Sequence, residues 1–248
     1  MSDQQQLLIL DLDETLIYAT TKPLPRPADF FVPPYAAYLR PGVEHFLNFV
    51  AMKFRLAVWT SSSPLYAREV VQRLFQSPDI LEFLWASDRC TPRRNFETDT
   101  WINTKNFRKL SRRGYDLRRV LMVDDSPEKH THNYGNLIRV KPFEGDSSDD
   151  ELVHLEAYLE LLSKETNIRH VEKRGWRKSF GAASLIYPLT LTVPELPQEE
   201  ALWVNSEGEA APLLGVLEMD LIIQSGTKGD TQKWDGRTDL IMHGKAEH

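Results

Sequence analysis

The fold is decided near the start of the chain, where residues 7–15 read LLILDLDET. Its first four residues are all apolar, which is typical of a strand buried on both faces of a parallel sheet. Two more apolar runs, residues 54–59 (FRLAVW) and 120–123 (VLMV), also end in polar clusters. Because parallel strands end at the same sheet edge, we expect the three polar clusters to meet there.

Helical patterns lie between these strands. Pro41 and Gly42 precede a segment with apolar residues on one face, and Pro64 begins a second such segment. A third apolar stripe follows the acidic residues 149–151, which suit a helix N-terminus. Strands that alternate with helices predict an α/β fold with a doubly wound, mostly parallel sheet. Weaker strand candidates are residues 83–86 and 137–140.

The domain organisation follows from length and composition. With 248 residues, the chain allows one large domain with at most a small appendage. We predict a domain over residues 1–178 and a strand-rich appendage over residues 179–248, where β-prone runs are broken by proline and glycine. Within the first domain, residues 17–39 are long enough for a small β-hairpin insert.

Composition and charge exclude several classes of protein. A net charge of −6 argues against general affinity for nucleic acid or an anionic membrane. No apolar run approaches the roughly 18 residues of a membrane helix. The start MSDQQQ lacks the basic and apolar blocks of a secretory signal, and the single cysteine, Cys90, fits a reducing compartment. These features predict a cytoplasmic protein.

Carboxylates follow two of the predicted strands. Asp11 and Asp13 come directly after the first, and Asp124 and Asp125 come after the third. Carboxylates crowded together are costly unless a cation compensates them, and Mg²⁺ is a natural choice because it binds carboxylate oxygens. Phosphoryl chemistry at such a site would also need neutral and positive donors. Candidates for these donors are Thr60 and Lys105.

Four motifs together resemble one known family. They are DLDET (11–15), WTSS (59–62), NTKNFRKLSRRGYDL (103–117) and VDDSP (123–127). The set is similar to the haloacid dehalogenase superfamily, and specifically to its branch of aspartate-dependent phosphatases acting on the RNA polymerase II C-terminal domain, the NLI-interacting factor family. The similarity covers roughly residues 7–176. It implies a haloacid dehalogenase-like fold.

The resemblance also implies roles for the carboxylates. Asp11 would be the nucleophile that forms an aspartyl-phosphate, and Asp13 would be the general acid and later the base. Mg²⁺ would be held by the Asp11 carboxylate, the Asp13 backbone carbonyl and Asp125. Some relatives carry asparagine at the position of Asp125, which changes the local charge. Supporting roles would fall to Asp124, Thr15 and Ser61.

Phosphate binding is implied for Thr60 and Lys105. The loop that carries Lys105 is longer before Gly114 than in the small C-terminal-domain phosphatases. Lys109 and Arg108 therefore remain alternatives for the basic residue that contacts the phosphate.

The function implied by the resemblance is Mg²⁺-dependent hydrolysis of phosphoserine or phosphothreonine on a phosphoprotein substrate. One alternative is a non-catalytic binding module, like the mitochondrial inner-membrane translocase subunit that is similar in fold. Another is a phosphatase of small phosphorylated metabolites. The intact Asp11 and Asp13 favour catalysis. The resemblance also implies that an enzyme for small metabolites would carry an inserted cap domain, and residues 17–39 are too few for a full cap. The cleft is therefore expected to be open, which favours a protein substrate.

Several of these polar residues also have purely structural interpretations. Thr60 lies in a Ser/Thr run before Pro64 that suits a helix N-cap. Asp124 and Asp125 precede Ser126-Pro127 and could cap a helix that starts there. Packing and a position at the cleft rim are both open for Tyr66 and Trp101. Surface positions are expected for His130 and His132.

Overall fold

The computed structural model describes residues 5–75, 77–95 and 99–178, together with two short strands. The chain divides into two units, Met1–Leu189 and Thr190–His248. In the second unit, strands β11 (Leu202–Val204) and β12 (Ala210–Pro212) pair antiparallel. The remainder of the predicted appendage, residues 179–248, lies outside the described residues.

A parallel sheet forms the centre of the first unit. Its members are β1 (Leu7–Leu10), β5 (Arg55–Trp59), β6 (Leu81–Trp85), β9 (Val120–Asp124) and β10 (Leu137–Arg139). Within the described residues this sheet has five strands in the order β10, β9, β1, β5, β6. Every residue of β1 and β9 is buried, as expected for central strands covered on both faces. The predicted α/β class and all five candidate strands are confirmed.

The two faces of the sheet carry different cover. The described α-helices are α1 (Val43–Lys53), α2 (Pro64–Leu74), α3 (Arg108–Ser111) and α4 (Glu151–Leu162). Leu8 and Leu10 of β1 pack in one core with apolar residues of α1, α2 and α4. Leu7 and Ile9 pack in a second core with Phe107 and with Leu110 of α3. This alternation follows from the two-residue period of a strand and gives the doubly wound arrangement.

The insert after β1 is larger than the predicted hairpin. It is a three-stranded antiparallel sheet of β2 (Ile17–Thr20), β3 (Phe30–Val32) and β4 (Tyr35–Leu39), in the order β2, β4, β3. The third strand, β3, was missed because the prolines on both sides of it indicate turns rather than a strand. A separate hairpin of β7 (Thr91–Asn95) and β8 (Thr100–Thr104) leads directly into Lys105.

The register of the sheet aligns the ends of the central strands, and so aligns the polar residues that follow them. Leu10 of β1 lies opposite Val58 of β5 and Val123 of β9. The backbone N–H of Asp11 still donates to the carbonyl of Val123, at 3.0 Å. The residues that follow these three strands therefore emerge together at one edge of the sheet.

Candidate active site

Three buried carboxylates meet at this edge. Asp11, Asp124 and Asp125 each offer an oxygen atom, and these atoms lie within 4.8 Å of one another. Asp11 follows β1, and the two other residues end β9 and begin its loop. The structure thus brings together the carboxylates that the sequence separates by more than 100 positions.

Lys105 is the cation at the centre of the cluster. Its side chain is fully buried, its Nζ lies 3.0 Å from Asp11 Oδ1, and it donates to Asp124 Oδ2. Lys109 instead donates to the backbone carbonyls of Arg89 and Cys90, at 2.6 and 3.1 Å, and Arg108 is exposed. Of the three basic residues considered, Lys105 is the one placed against the carboxylates.

His130 is part of the same cluster, so the surface position expected for it is wrong. Its side chain is fully buried, and Nε2 lies 2.8 Å from Asp124 Oδ2. The N–H of Phe107 donates to Asn133 Oδ1, which turns the amide nitrogen of Asn133 toward His130 Nδ1 at 3.0 Å. His130 Nδ1 therefore accepts, and Nε2 carries the hydrogen donated to Asp124. Burial lowers the pKa of His130, which favours this neutral form.

Asp124 is saturated by these partners. Its Oδ2 accepts from Lys105 and His130, and its Oδ1 accepts from the backbone N–H of Ser126 at 2.9 Å. Asp124 Oδ1 therefore has the capping role that was considered from the sequence, whereas Oδ2 binds Lys105 and His130. Burial alone would raise the pKa of Asp124, but Lys105 and His130 hold it well below its ordinary value. Asp124 is an ionised carboxylate that fixes the position of Lys105.

Asp11 and Asp125 are less well compensated. Burial and then the charge of Asp124 raise the pKa of Asp11 to about 7, against the lowering effect of Lys105 and Lys129. Burial and Asp124 also raise the pKa of Asp125. The three carboxylates face two ammonium groups, so negative charge is in excess where β1 and β9 end.

The cluster fits a divalent cation. Asp125 Oδ1 is buried and has no hydrogen-bond partner among the described residues. The donor atoms are carboxylate oxygens, which Mg²⁺ prefers, and their excess charge is the kind that a bound cation offsets. The residues that would hold the ion are Asp11 and Asp125, with Asp124 beside them.

Asp13 lies at the mouth of the site rather than in the buried cluster. Its carboxylate accepts from Ser62 Oγ at 2.6 Å and from the hydroxyl of Tyr66 at 2.5 Å. Burial and Asp13 raise the pKa of Tyr66, so its hydroxyl keeps its hydrogen. These side chains and Tyr35 line a groove of about 410 Å³. Tyr66 therefore lies at the cleft rim and donates a hydrogen bond to Asp13. Trp101 is exposed.

The hydroxyl residues divide into caps and buried groups. Ser63 caps α2 by accepting from the N–H of Tyr66 at 3.3 Å, so the N-cap role considered for Thr60 belongs to Ser63. Thr60 is buried directly after β5, and its Oγ1 accepts from the N–H of Ser62. The hydroxyl oxygens of Thr15 and Ser61 are buried with no hydrogen-bond partner in the described part of the chain.

A buried arginine holds the loop that carries Asp11 and Asp13. Arg40 Nη1 donates to the carbonyl of Thr15 at 3.0 Å, and Nη2 donates to the carbonyl of Lys141 at 2.9 Å. Its guanidinium also forms a two-point ion pair with Asp149, at 2.7 and 2.9 Å. This role of Arg40 was not predicted, because a charged residue is normally expected at the surface.

Comparison with known proteins identifies relatives. The profile described as NLI interacting factor-like phosphatase matches residues 6–169. A probable C-terminal domain small phosphatase of Dictyostelium discoideum is 35% identical over 173 residues, which are 66% of this chain and 53% of that protein. The CTD nuclear envelope phosphatase 1 homolog of Drosophila melanogaster is 31% identical over 186 residues, covering 69% and 73%.

Solved structures include a similar chain as well. Fcp1, an essential RNA polymerase II CTD phosphatase, is 19% identical with a TM-score of 0.46, covering 74% of this chain and 63% of that one.

Localisation remains a prediction. No helix among the described residues has both the length and the apolar character needed to cross a membrane. One relative is named for the nuclear envelope, so the expected cytoplasmic location is not confirmed.

The family match spans most of the chain and contains all of the clustered carboxylates and Lys105. The chain therefore belongs to the NLI interacting factor-like phosphatase family.

Proposed function

We propose that this protein is a Mg²⁺-dependent phosphatase that hydrolyses phosphoserine and phosphothreonine in protein segments through an aspartyl-phosphate at Asp11. One observation carries the proposal: the buried Asp11, Asp124 and Asp125 converge within 4.8 Å, with Lys105 held 3.0 Å from Asp11. That arrangement joins a candidate nucleophile, oxygen ligands for a cation and a positive donor for phosphate.

The first step forms the covalent intermediate. A carboxylate oxygen of Asp11 attacks phosphorus, and the bond from phosphorus to the substrate oxygen breaks. Asp13 gives a proton to the departing oxygen, which leaves as the alcohol of serine or threonine. Thr60 and Lys105 hold the phosphoryl oxygens as their charge rearranges.

The second step releases phosphate. Asp13, now ionised, removes a proton from a water molecule that attacks phosphorus. The bond between phosphorus and Asp11 breaks, which restores the Asp11 carboxylate and frees inorganic phosphate. The hydrogen bonds from Ser62 and Tyr66 hold the carboxyl group of Asp13 at the cleft mouth for both proton transfers.

Bound Mg²⁺ would offset the charge of the carboxylates and of the incoming phosphate. Arg40 contributes at a distance: by holding the carbonyl of Thr15 it fixes the loop that presents Asp11 and Asp13.

The shape of the cleft supports a protein substrate. The insert over residues 17–39 is a small three-stranded sheet, and the groove at Asp13 opens between Tyr35 of that insert and Tyr66 of α2. An open groove admits a phosphorylated side chain on an extended segment. Relatives named as C-terminal-domain phosphatases support the same class of substrate.

The test compares wild type with Asp11→Asn on an aryl phosphate and on phosphoserine peptides, with Mg²⁺ present. We expect Asp11→Asn to lose about 10⁴-fold or more in kcat, because the attacking oxygen is gone. Asp79→Asn, at an exposed position on the protein surface, is the matched control and should retain wild-type rates. Wild-type protein that hydrolyses neither substrate, or an Asp11→Asn variant as active as the control, would contradict the proposal.

The same assay with a panel of sugar phosphates and nucleotides tests the substrate class. A higher kcat/KM for a small metabolite than for every phosphopeptide would overturn the protein-substrate assignment while leaving the chemistry intact.

A further inference from the structure

A second lysine lies beside the proposed nucleophile. Lys129 belongs to the short 3₁₀ turn Pro127–His130 that follows β9, and its Nζ is 3.8 Å from Asp11 Oδ2. Lys105 Nζ lies 3.0 Å from the other oxygen, Asp11 Oδ1. The two ammonium groups therefore flank the carboxylate of Asp11, one at each oxygen.

The two lysines are not equivalent. Lys105 is completely buried, and its charge is shared by Asp11 and Asp124. The side chain of Lys129 keeps 22% of its surface exposed, and its ammonium makes no hydrogen bond to a described residue. Its distance to Asp11 exceeds that of a hydrogen bond. Lys129 thus has donor hydrogens left over and access to solvent, whereas Lys105 is already committed to carboxylates.

The backbone couples the two residues. The N–H of Lys105 donates to the carbonyl of Lys129 at 2.9 Å, so the segment after β8 and the turn after β9 are joined at these residues. A phosphate held by Lys105 would consequently lie within the reach of the Lys129 side chain.

The charge balance of the site indicates a role for Lys129 in binding phosphate. The buried carboxylates are Asp11, Asp124 and Asp125, and Asp13 and Glu14 stand at the groove. Asp13 carries the proton that it gives away in the first step, so four of these groups are negative when the substrate enters. One divalent ion and Lys105 together neutralise three of the four. A phosphate dianion that enters this surplus of negative charge is repelled unless another cation faces it.

We propose that Lys129 is a second phosphate-binding lysine, which donates to a non-bridging oxygen of the substrate phosphoryl group from the solvent side while Lys105 acts from the buried side. The inference rests on the proposed function, because it assigns a ligand to the same site. The competing account is that Lys129 only tunes the affinity of the site for the divalent ion through charge repulsion.

The experiment uses the full chain with Lys129→Met, Lys129→Gln and Lys129→Arg, and Lys164→Met as the control. Lys164 is exposed at the end of α4, so its variant removes one positive charge far from the site. Calorimetry measures the binding of Mg²⁺ alone, and then the binding of inorganic phosphate at saturating Mg²⁺. Aryl phosphate hydrolysis supplies kcat and KM.

We expect Lys129→Met and Lys129→Gln to weaken phosphate binding roughly tenfold to a hundredfold, the size of a lost charge-assisted hydrogen bond. Lys129→Arg should restore most of the affinity, and Lys164→Met should match wild type. Phosphate affinity in Lys129→Met within about twofold of the wild-type value overturns the inference. If Mg²⁺ affinity alone changes, Lys129 is a determinant of cation binding instead.

The binding measurement separates this inference from the proposed function. Wild type that binds phosphate without hydrolysing any ester, and loses that binding in Lys129→Met, would refute the proposed function and uphold the inference. Wild type that hydrolyses phosphate esters, with Lys129 variants that bind phosphate normally, would uphold the proposed function and refute the inference. Wild type that binds no phosphate would refute the inference.

Discussion

Two buried charge clusters in the same domain differ in how completely their charges are matched. In the first, Arg40 meets one carboxylate, Asp149, at 2.7 and 2.9 Å, and its remaining donors reach two backbone carbonyls. In the second, the carboxylates at the ends of β1 and β9 outnumber the nearby lysines, and Asp125 Oδ1 lacks a hydrogen-bond partner among the described residues.

The difference separates a structural cluster from a binding one. Burying a charge costs several kcal/mol unless a partner and hydrogen bonds compensate it. The Arg40 pair is complete within the protein, so it stabilises the fold in every state. The carboxylate cluster carries excess negative charge, and a bound cation would offset that excess.

The largest effect on stability is expected from breaking the complete cluster. Arg40→Met should lower the free energy of unfolding by about 3–5 kcal/mol, because Asp149 would be left buried without its counter-charge. Urea denaturation followed by circular dichroism measures this loss. The matched control is Arg118→Met, which breaks an exposed pair with Asp116 and should leave stability close to that of wild type. Equal losses in the two variants would show that the buried pair contributes no more to the free energy of unfolding than the exposed pair.

A smaller stabilisation is expected from completing the other cluster. Mg²⁺ at about one hundred times its Kd should raise the free energy of unfolding by about 2.7 kcal/mol, because it binds the folded state only. Chelation should reverse the gain. Asp125→Ala should abolish it, and Asp116→Asn should preserve it. Thermal unfolding with and without Mg²⁺ provides the measurement, and an undiminished gain in Asp125→Ala would place the ion elsewhere.

The smallest expected effect is the pH dependence of the stability that the Arg40–Asp149 pair provides. Burial opposes ionisation of Asp149, but Arg40 lowers the pKa of Asp149 below its usual 3.8. A carboxylate with a lowered pKa contributes stability above its unfolded pKa and loses that contribution as pH falls through the folded value. Asp149→Asn should therefore lower the free energy of unfolding at neutral pH, and this loss should shrink below about pH 4. Urea titrations at several pH values would contradict it if the difference stayed constant.

The central sheet was predictable because its strands are buried on both faces. Composition alone identifies three of these strands, because almost all of their residues are apolar. They are Leu7–Leu10, Arg55–Trp59 and Val120–Asp124. The polar residues that follow them indicate the sheet edge. That physical pattern is also why the positions of Asp11 and Asp125 could be anticipated.

The missed features share a different cause. Arg40, His130 and Lys129 are polar residues whose burial depends on partners more than 100 residues away or on a turn after β9. A single sequence carries no local pattern for such pairing. The strand β3 (Phe30–Val32) was missed because it is only three residues long and lies between prolines, although it pairs with β4.

The order of strands in the sheet has a consequence for synthesis of the protein. β1 is made before its two neighbours, yet it lies between β5 and β9. On the ribosome, the strand that ends at Asp11 gains one neighbour after residues 55–59 have emerged and the other after residues 120–124. The nascent polypeptide therefore acquires any capacity for turnover late, when the second neighbour pairs with β1.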